Sequence, residues 1–255
     1  MTPDPTRARV FGSFAEDYDR YRPDYPAEAL EWVLGEGVDE DNGEEPRRVA
    51  DVGAGTGKLT AALAARRLDV VAIDPDEAML AQLAERVPSV ERHVGRAEEL
   101  PLEDDSVDMV LLGQAWHWVE LEPAVAEVRR VLRPGGSLAL LWNTVEDDQG
   151  GWVAEIESLD PAPPRTADWS PDDVGLPEGE SELAAIRWTW WVNVDQVVSN
   201  LATHSGIATL PDDEREALLD RARGIVERAV EEQDRGDGMI AWPHTCLCVR
   251  WTPRD

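Results

Sequence analysis

Runs of apolar residues alternate with amphipathic segments between residues 47 and 145. Buried strands are predicted, in chain order, for RRVADVGA, DVVAIDP, VERHV, VDMVLLGQ and SLALLWN. Helices are predicted for GKLTAALAARR, DEAMLAQLAERV and PAVAEVRRVL, and a turn for RPGG. Because strands that alternate with helices form parallel sheets covered on both faces, the pattern predicts a doubly wound α/β fold.

The pattern changes after residue 145. Five prolines between residues 160 and 181 indicate an irregular excursion, and we interpret residues 146–210 as a cap inserted after the fifth strand. A strand is predicted in AIRWTWWV, a short helix in DQVVSNLA, a long amphipathic helix over residues 211–233 and a last strand in HTCLCVRW. We predict a single domain over residues 1–255, with its core at 47–145 and the final helix and strand at 211–255.

All phenylalanines and tyrosines of the chain lie in FGSFAEDYDRYRPDYP, residues 11–26. Steps of three and four place the first four rings on one helix face, and Pro23 ends that helix near Arg22. AEALEWVL predicts a second short helix. Two interpretations stay open: the stripe packs as core, or residues 1–34 form a helical lid in which Tyr18 or Tyr25 closes a site.

The formal charge of −29, from 24 basic and 53 acidic residues, decides which partners are reasonable. A surface this acidic repels phosphate backbones and anionic lipids, so neither nucleic acid nor membrane is predicted as a partner. The chain has neither an 18-residue apolar run nor an N-terminal secretory pattern, which favours a cytoplasmic protein. Cys246 and Cys248 form no recognised metal spacing, and no metal site is predicted. The oligomeric state has no signal in the sequence.

The glycine-rich turn VADVGAGTGKLT follows the first predicted strand. A Walker loop would require glycine at Val52 and a hydroxyl at Leu59, so that motif fails twice. A dinucleotide fingerprint would require glycine at Lys58, and Asp51 would place a negative charge beside a pyrophosphate. A nicotinamide- or flavin-dependent oxidoreductase is weakened as an alternative but stays open. A ligand with an ammonium and a sulfonium fits Asp51 better.

The same turn resembles the first motif of the class I S-adenosylmethionine-dependent methyltransferases, an acidic residue followed by GxGxG. The resemblance continues at the carboxylate after the second strand, in the loop after the third strand and in VLRPGG before the fifth. It implies a seven-stranded sheet with an antiparallel last strand, and S-adenosyl-L-methionine as cofactor. The implied cofactor-binding residues are Tyr18, Asp51, Gly53, Ala54, Gly55, Gly57, Asp74, Pro75, Met79, Ala97, Glu98 and Gln114. Arg96 departs from the family, where many members have aspartate.

GQAWHWV and YDRYRPDYP resemble a small-molecule branch of this family that includes trans-aconitate methyltransferase. The resemblance implies a small-molecule acceptor methylated on oxygen, carbon or a carboxyl group. The candidate acceptor-side residues are Tyr25, Trp116, His117 and Trp118. His117 is the candidate catalytic base, with a positioning role as the alternative, and His204 is interpreted as a surface residue. A noncatalytic cofactor-binding regulator also fits the motifs.

Overall fold

The computed structural model describes residues 21–35, 47–146, 151–161, 174–233 and 235–254. The helices within these ranges are α1 (Ala27–Leu34), α2 (Lys58–Ala64), α3 (Glu77–Arg86), α4 (Leu121–Val131), α5 (Trp152–Glu157), α6 (Val194–Ala202), α7 (Ser205–Ala208) and α8 (Asp212–Gln233). The strands are β1 (Arg47–Val52), β2 (Leu68–Asp74), β3 (Glu91–Val94), β4 (Val107–Gly113), β5 (Leu132–Val145), β6 (Gly179–Val192) and β7 (Ile240–Pro253).

The strands form one seven-stranded sheet in the order β3-β2-β1-β4-β5-β7-β6. The five strands from β1 to β5 pair in parallel, and β7 runs antiparallel to both β5 and β6. The predicted doubly wound sheet with an antiparallel last strand is therefore confirmed. The strand order reverses between β1 and β4, and ligands of such sheets bind outside the carboxyl ends of the strands at that point.

The strands alternate their side chains between two apolar clusters. Ala50 and Leu140 belong to the cluster on the α4 side, whereas Val49 and Leu141 pack with α1, α2 and α3. Because successive residues of a strand face opposite sides, Asp51 lies on the same face as Val49, toward α2. The carboxyl edge of that face carries the polar residues of the site described below.

A third apolar cluster joins α5, α6 and α8 to the ends of β6 and β7. Trp242 is its centre, stacked on Trp190 with ring centroids 5.6 Å apart and approached by Trp152 at 5.8 Å. Trp191 is exposed on the surface. Trp152 and Trp190 thus pack within this apolar cluster.

Two element boundaries differ from the sequence prediction. The turn expected at RPGG is an irregularity inside β5, where the register with β4 shifts between Val107 and Met109. Strand β6 begins at Gly179, well before the predicted AIRWTWWV. Within the described ranges this strand pairs with β7 alone, and its first half is polar and exposed, so it lacked the apolar signature of a buried strand.

No helix in the described ranges is both long and apolar enough to cross a membrane.

Candidate active site

The glycine turn connects β1 to α2 directly above the strand-order reversal. Gly57 has φ 88°, and a β-carbon there would lie 2.7 Å from Leu83 Cγ, so only glycine lets α2 approach α3 this closely. Gly55 has φ 56°, and a β-carbon there would meet no atom within 4 Å. The turn is therefore tightly packed on the protein side and open at Gly55, where a ligand could lie against the backbone.

Asp51 is a buried carboxylate at the start of this turn. Asp51 is only 1% exposed, and its Oδ2 accepts a 2.5 Å hydrogen bond from Thr60 Oγ1. Its Oδ1 is buried and has no donor among the residues that the structure describes. Burial raises the pKa of Asp51 to about 7, with a further increase from the charge of Asp74 and an opposing decrease from the Thr60 hydrogen bonds. Asp51 Oδ1 could therefore bind a cation that enters the turn.

Asp74 ends β2 and connects it to the glycine turn. Its Oδ2 accepts from the Gly55 amide at 2.8 Å and its Oδ1 from the Asp76 amide at 2.8 Å. Burial raises the pKa of Asp74, and these two backbone bonds oppose the increase. Each carboxylate oxygen has a lone pair left, so Asp74 can still accept from two vicinal hydroxyls.

The remaining predicted cofactor residues lie around Asp74. Pro75 is exposed, Met79 is buried in the first turn of α3, and Ala54 packs beneath the glycine turn, where its amide donates to Ile73 O at 3.1 Å. Ala97 is buried in the α4-side cluster. Glu98 accepts from the Glu120 amide at 2.7 Å and lies 3.3 Å from Arg96 Nε, so it ties the loop after β3 to the start of α4. Tyr18 lies outside the described residues.

Gln114 follows β4 with φ 56°, the left-handed conformation that non-glycine residues rarely adopt. Its amide donates to Leu141 O at 2.9 Å and its Nε2 to the main-chain oxygen of Asn143 at 2.8 Å. These two bonds to β5 hold the strained backbone of Gln114 in place. Such strain is typical of residues at functional sites. The Tyr25 ring lies directly on Gly113, where a β-carbon would overlap its hydroxyl.

Trp116 begins the short 3₁₀ turn that follows β4. It is 5% exposed, and its indole Nε1 donates to Val174 O at 3.0 Å, which makes it part of the core. A contact between Trp116 and the methyl acceptor stays a prediction. His117 and Trp118 are partly exposed on the same 3₁₀ turn, with ring centroids 4.9 Å apart. They stay candidates for the acceptor side.

The structure adds residues that sequence reasoning missed. Asn143, at the carboxyl end of β5, donates from Nδ2 to Asp24 O at 3.1 Å, and Asp24 Oδ1 lies 2.9 Å from Lys58 Nζ. The segment Tyr21–Pro26 therefore crosses the carboxyl edge between β5 and the glycine turn. Thr60 was also missed. The sequence did contain a signal for each residue. Asn143 is a polar residue at the end of the apolar run of β5, and Thr60 places a hydroxyl in the first turn of α2.

A second polar cluster joins Tyr21–Pro26 to the C-terminal layer. His204 is not a surface residue: its side chain is 17% exposed, with Nδ1 2.8 Å from Asp160 Oδ2 and Nε2 3.2 Å from Asn200 Oδ1. Burial and the charge of Arg22 lower the pKa of His204, and Asp160 opposes that decrease. Asn200 Nδ2 in turn donates to Tyr21 O at 2.8 Å.

Among the described residues, no three His, Cys, Asp or Glu side chains converge on a metal site.

The site fits a cationic ligand that carries a vicinal diol. Asp51 has a buried oxygen with no donor among the described residues, Gly55 is open to a ligand, and Asp74 has two lone pairs left. A pyrophosphate would face two buried carboxylates with no cation from the described residues bonded to either. The geometry therefore favours a sulfonium nucleoside over a dinucleotide.

Comparison with known proteins agrees with this geometry. The family described as methyltransferase domain matches residues 50–140. An uncharacterized methyltransferase of Mycobacterium bovis is 41% identical over 95% of each chain. The malonyl-acyl-carrier-protein O-methyltransferase of Methylococcus capsulatus is 43% identical over 38% of each chain. A solved structure from Anaeromyxobacter dehalogenans, provisionally assigned as a type II methyltransferase, has a TM-score of 0.61 at 26% identity and covers 91% of this chain and 97% of its own.

These relatives decide between the two enzyme classes that the glycine turn left open. The relative from Mycobacterium bovis, which is named as a methyltransferase, is 41% identical over 95% of the chain. The chain accordingly belongs to the class I S-adenosylmethionine-dependent methyltransferases, and S-adenosylmethionine is its cofactor.

Proposed function

We propose that the protein transfers the methyl group of S-adenosylmethionine to a small-molecule acceptor, at an oxygen, a carbon or a carboxyl group. One observation carries this proposal: the segment Tyr21–Pro26 crosses the carboxyl edge of the sheet and is hydrogen-bonded on both sides of it. A polymer would have to displace that segment, whereas a small molecule can be enclosed beneath it. The charge of −29 also disfavours nucleic acids as acceptors.

The cofactor side is assigned to the residues around the glycine turn. Asp51 would face the cationic part of the cofactor, Gly55 would allow its close approach, and Asp74 would accept from the ribose hydroxyls. The other cofactor-binding residues that we propose are Gly53, Ala54, Gly57, Pro75, Met79, Ala97, Glu98, Gln114 and Tyr18. When bound, S-adenosylmethionine supplies a methyl group activated by the attached sulfonium.

The contribution of the protein to the transfer is mainly alignment. Tyr25, lying on Gly113, and the turn with His117 and Trp118 flank the carboxyl end of β4, where the acceptor would be held in line with the methyl group. His117 would take the proton of an acceptor that must lose one, and it would only orient an acceptor that is already anionic. Exclusion of water by Tyr21–Pro26 would strengthen the contact of Asp51 with the cationic cofactor and the contact of His117 with the acceptor.

The test is a screen of fractionated metabolite pools with methyl-labelled S-adenosylmethionine, with the labelled product identified by mass spectrometry. We expect label in a small organic product and none in protein or nucleic acid. Label found only in macromolecules would contradict the proposal. Tight cofactor binding without any labelled product would favour a noncatalytic regulator instead. A cytoplasmic location stays a prediction.

A further inference from the structure

The orientation of the Asn143 side-chain amide is fixed by its neighbour. Asp24 O, a carbonyl oxygen, can only accept a hydrogen bond, and it lies 3.1 Å from Asn143 Nδ2. Rotating the amide by 180° would place two acceptors against each other. Asn143 Oδ1 must therefore point away from Asp24, and it is buried with no donor among the described residues. A buried amide oxygen without a donor is costly, which is typical of an atom that a ligand completes.

The position of Asn143 separates it from the cofactor residues. It lies at the carboxyl end of β5, three strands from Asp74 at the end of β2. Strands in a sheet are about 4.8 Å apart, so the two ends are separated by about 14 Å. A ligand held at Asp74 and Gly55 covers β2 and β1 and directs its far end toward β4. The end of β5, which Asp24 contacts, is the part of the edge that we assign to the methyl acceptor.

We propose that Asn143 Oδ1 accepts a hydrogen bond from a hydroxyl or amino group of the methyl acceptor. The acceptor then carries a hydroxyl or an amino group, and a molecule whose only polar group is an ionised carboxylate could not donate to Oδ1. An ionised carboxylate has no proton to donate to Oδ1, and one of the two Nδ2 protons of Asn143 is already donated to the carbonyl of Asp24. The inference rests on the proposed function and narrows its acceptor class. Asn143 acts here as a positioning residue, since an amide cannot take a proton.

Two independent contacts support this role. Gln114 Nε2 donates to the main-chain oxygen of Asn143 at 2.8 Å, so the end of β5 is fixed to the residue that follows β4. Asp24, which orients the amide, is itself held by Lys58 at 2.9 Å. The free oxygen is thereby held by contacts from both neighbouring elements, as a specificity-determining atom requires.

The experiment combines labelled S-adenosylmethionine with metabolite pools separated by ion exchange into carboxylate-only and hydroxyl- or amine-bearing fractions. Product should form from the second kind of fraction. Asn143→Leu should then lower kcat/KM for that acceptor by about tenfold or more, while calorimetry gives an S-adenosylhomocysteine Kd within about twofold of the unmodified protein. Lys58→Met is the matched control, because it loosens Asp24 without removing Oδ1, and it should affect kcat/KM less than Asn143→Leu does.

Two results would overturn the inference: a methylated carboxylate without any hydroxyl or amino group, or an unchanged kcat/KM in Asn143→Leu. Failure of the proposed function has a different signature. It would be seen as cofactor binding with no labelled small-molecule product from the unmodified protein.

Discussion

Thr60 Oγ1 donates a 2.5 Å hydrogen bond to Asp51 Oδ2, within a site where both side chains are buried. The bond leaves Asp51 Oδ1 as the buried oxygen without a donor from the described residues. A buried lone carboxylate is costly in its charged form, so Asp51 has a raised pKa until a cation arrives. This relationship links the ionisation of Asp51 to cofactor binding.

The affinity for S-adenosylmethionine should therefore depend on pH. Because the pKa of Asp51 is about 7 without ligand and a cation favours the charged form, the Kd should decrease as pH rises toward 7 and level off above it. Below pH 7 the Kd should increase about tenfold for each unit by which the pH falls. Calorimetric titrations from pH 5.5 to 8.5 measure it. A flat profile in the unmodified protein would refute the role of Asp51.

Variants of Thr60 serve as controls for that profile. Thr60→Val removes the donor to Asp51, so the charged form becomes less stable and the midpoint of the profile should move to higher pH. Thr60→Ser retains the hydroxyl and should keep the original midpoint. A purely structural role for Thr60 would weaken affinity at every pH without moving the midpoint.

Asp51→Asn should stabilise the cofactor-free protein at pH 8 while weakening cofactor binding. A carboxyl group with a raised pKa in the folded state contributes stability below its ordinary pKa and loses it as pH rises through the folded value. For Asp51 this stability is lost between pH 3.8 and about pH 7, and the loss in the free energy of unfolding is at most about 4 kcal/mol. Urea unfolding at pH 5 and pH 8 measures the difference. Greater stabilisation at pH 5 than at pH 8 would contradict this explanation.

Asp74→Ala should weaken cofactor affinity by about 100-fold or more, because it removes the acceptor for two ribose hydroxyls and the bond that holds Gly55. Calorimetry with S-adenosylhomocysteine measures the effect. Asp69→Ala is the matched control: Asp69 lies on the same strand, half-exposed and paired with Arg48 on the surface, and its loss should leave the affinity unchanged. Near-normal affinity in Asp74→Ala would reject the ribose assignment.

His117→Ala should lower turnover more than cofactor affinity, by about 100-fold if His117 is the general base. Steady-state rates with the acceptor found in the screen, together with calorimetry, separate the two effects. His93→Gln is the control, since His93 lies on β3 and pairs with Glu91 away from the site. Unchanged turnover in His117→Ala would leave His117 with a structural role alone.

The His204 cluster should hold the segment Tyr21–Pro26 in place. Asn200 Nδ2 donates to Tyr21 O, so Asn200 Oδ1 faces His204 Nε2, which must donate to it. His204→Leu removes the contacts to Asn200 and Asp160, and amide exchange in residues 21–35 should become about tenfold faster. Hydrogen exchange followed by mass spectrometry measures this effect. Equal protection in the variant and the unmodified protein would show that the segment is held elsewhere.

Much of the fold, and where the proposed cofactor side lies in it, could be predicted from the sequence because the signals are local. The glycine turn and the carboxylates Asp51 and Asp74 occupy fixed positions at the ends of apolar strands, and the sheet topology follows from the strand–helix alternation. The contact of Asn143 with Asp24 could not be recognised, because the two residues are 119 positions apart in the sequence. The bond from the Trp116 indole to Val174 O could not be predicted either, because those two residues are also far apart in the sequence. Strand β6 was placed too short because the first half of an edge strand is polar.

The most direct test of the central claim is a calorimetric titration of the folded protein with S-adenosylmethionine and, separately, with NAD. The account predicts one S-adenosylmethionine bound per chain, with affinity lost in Asp74→Ala, and no heat of binding from NAD. Binding of NAD with no binding of S-adenosylmethionine would contradict it.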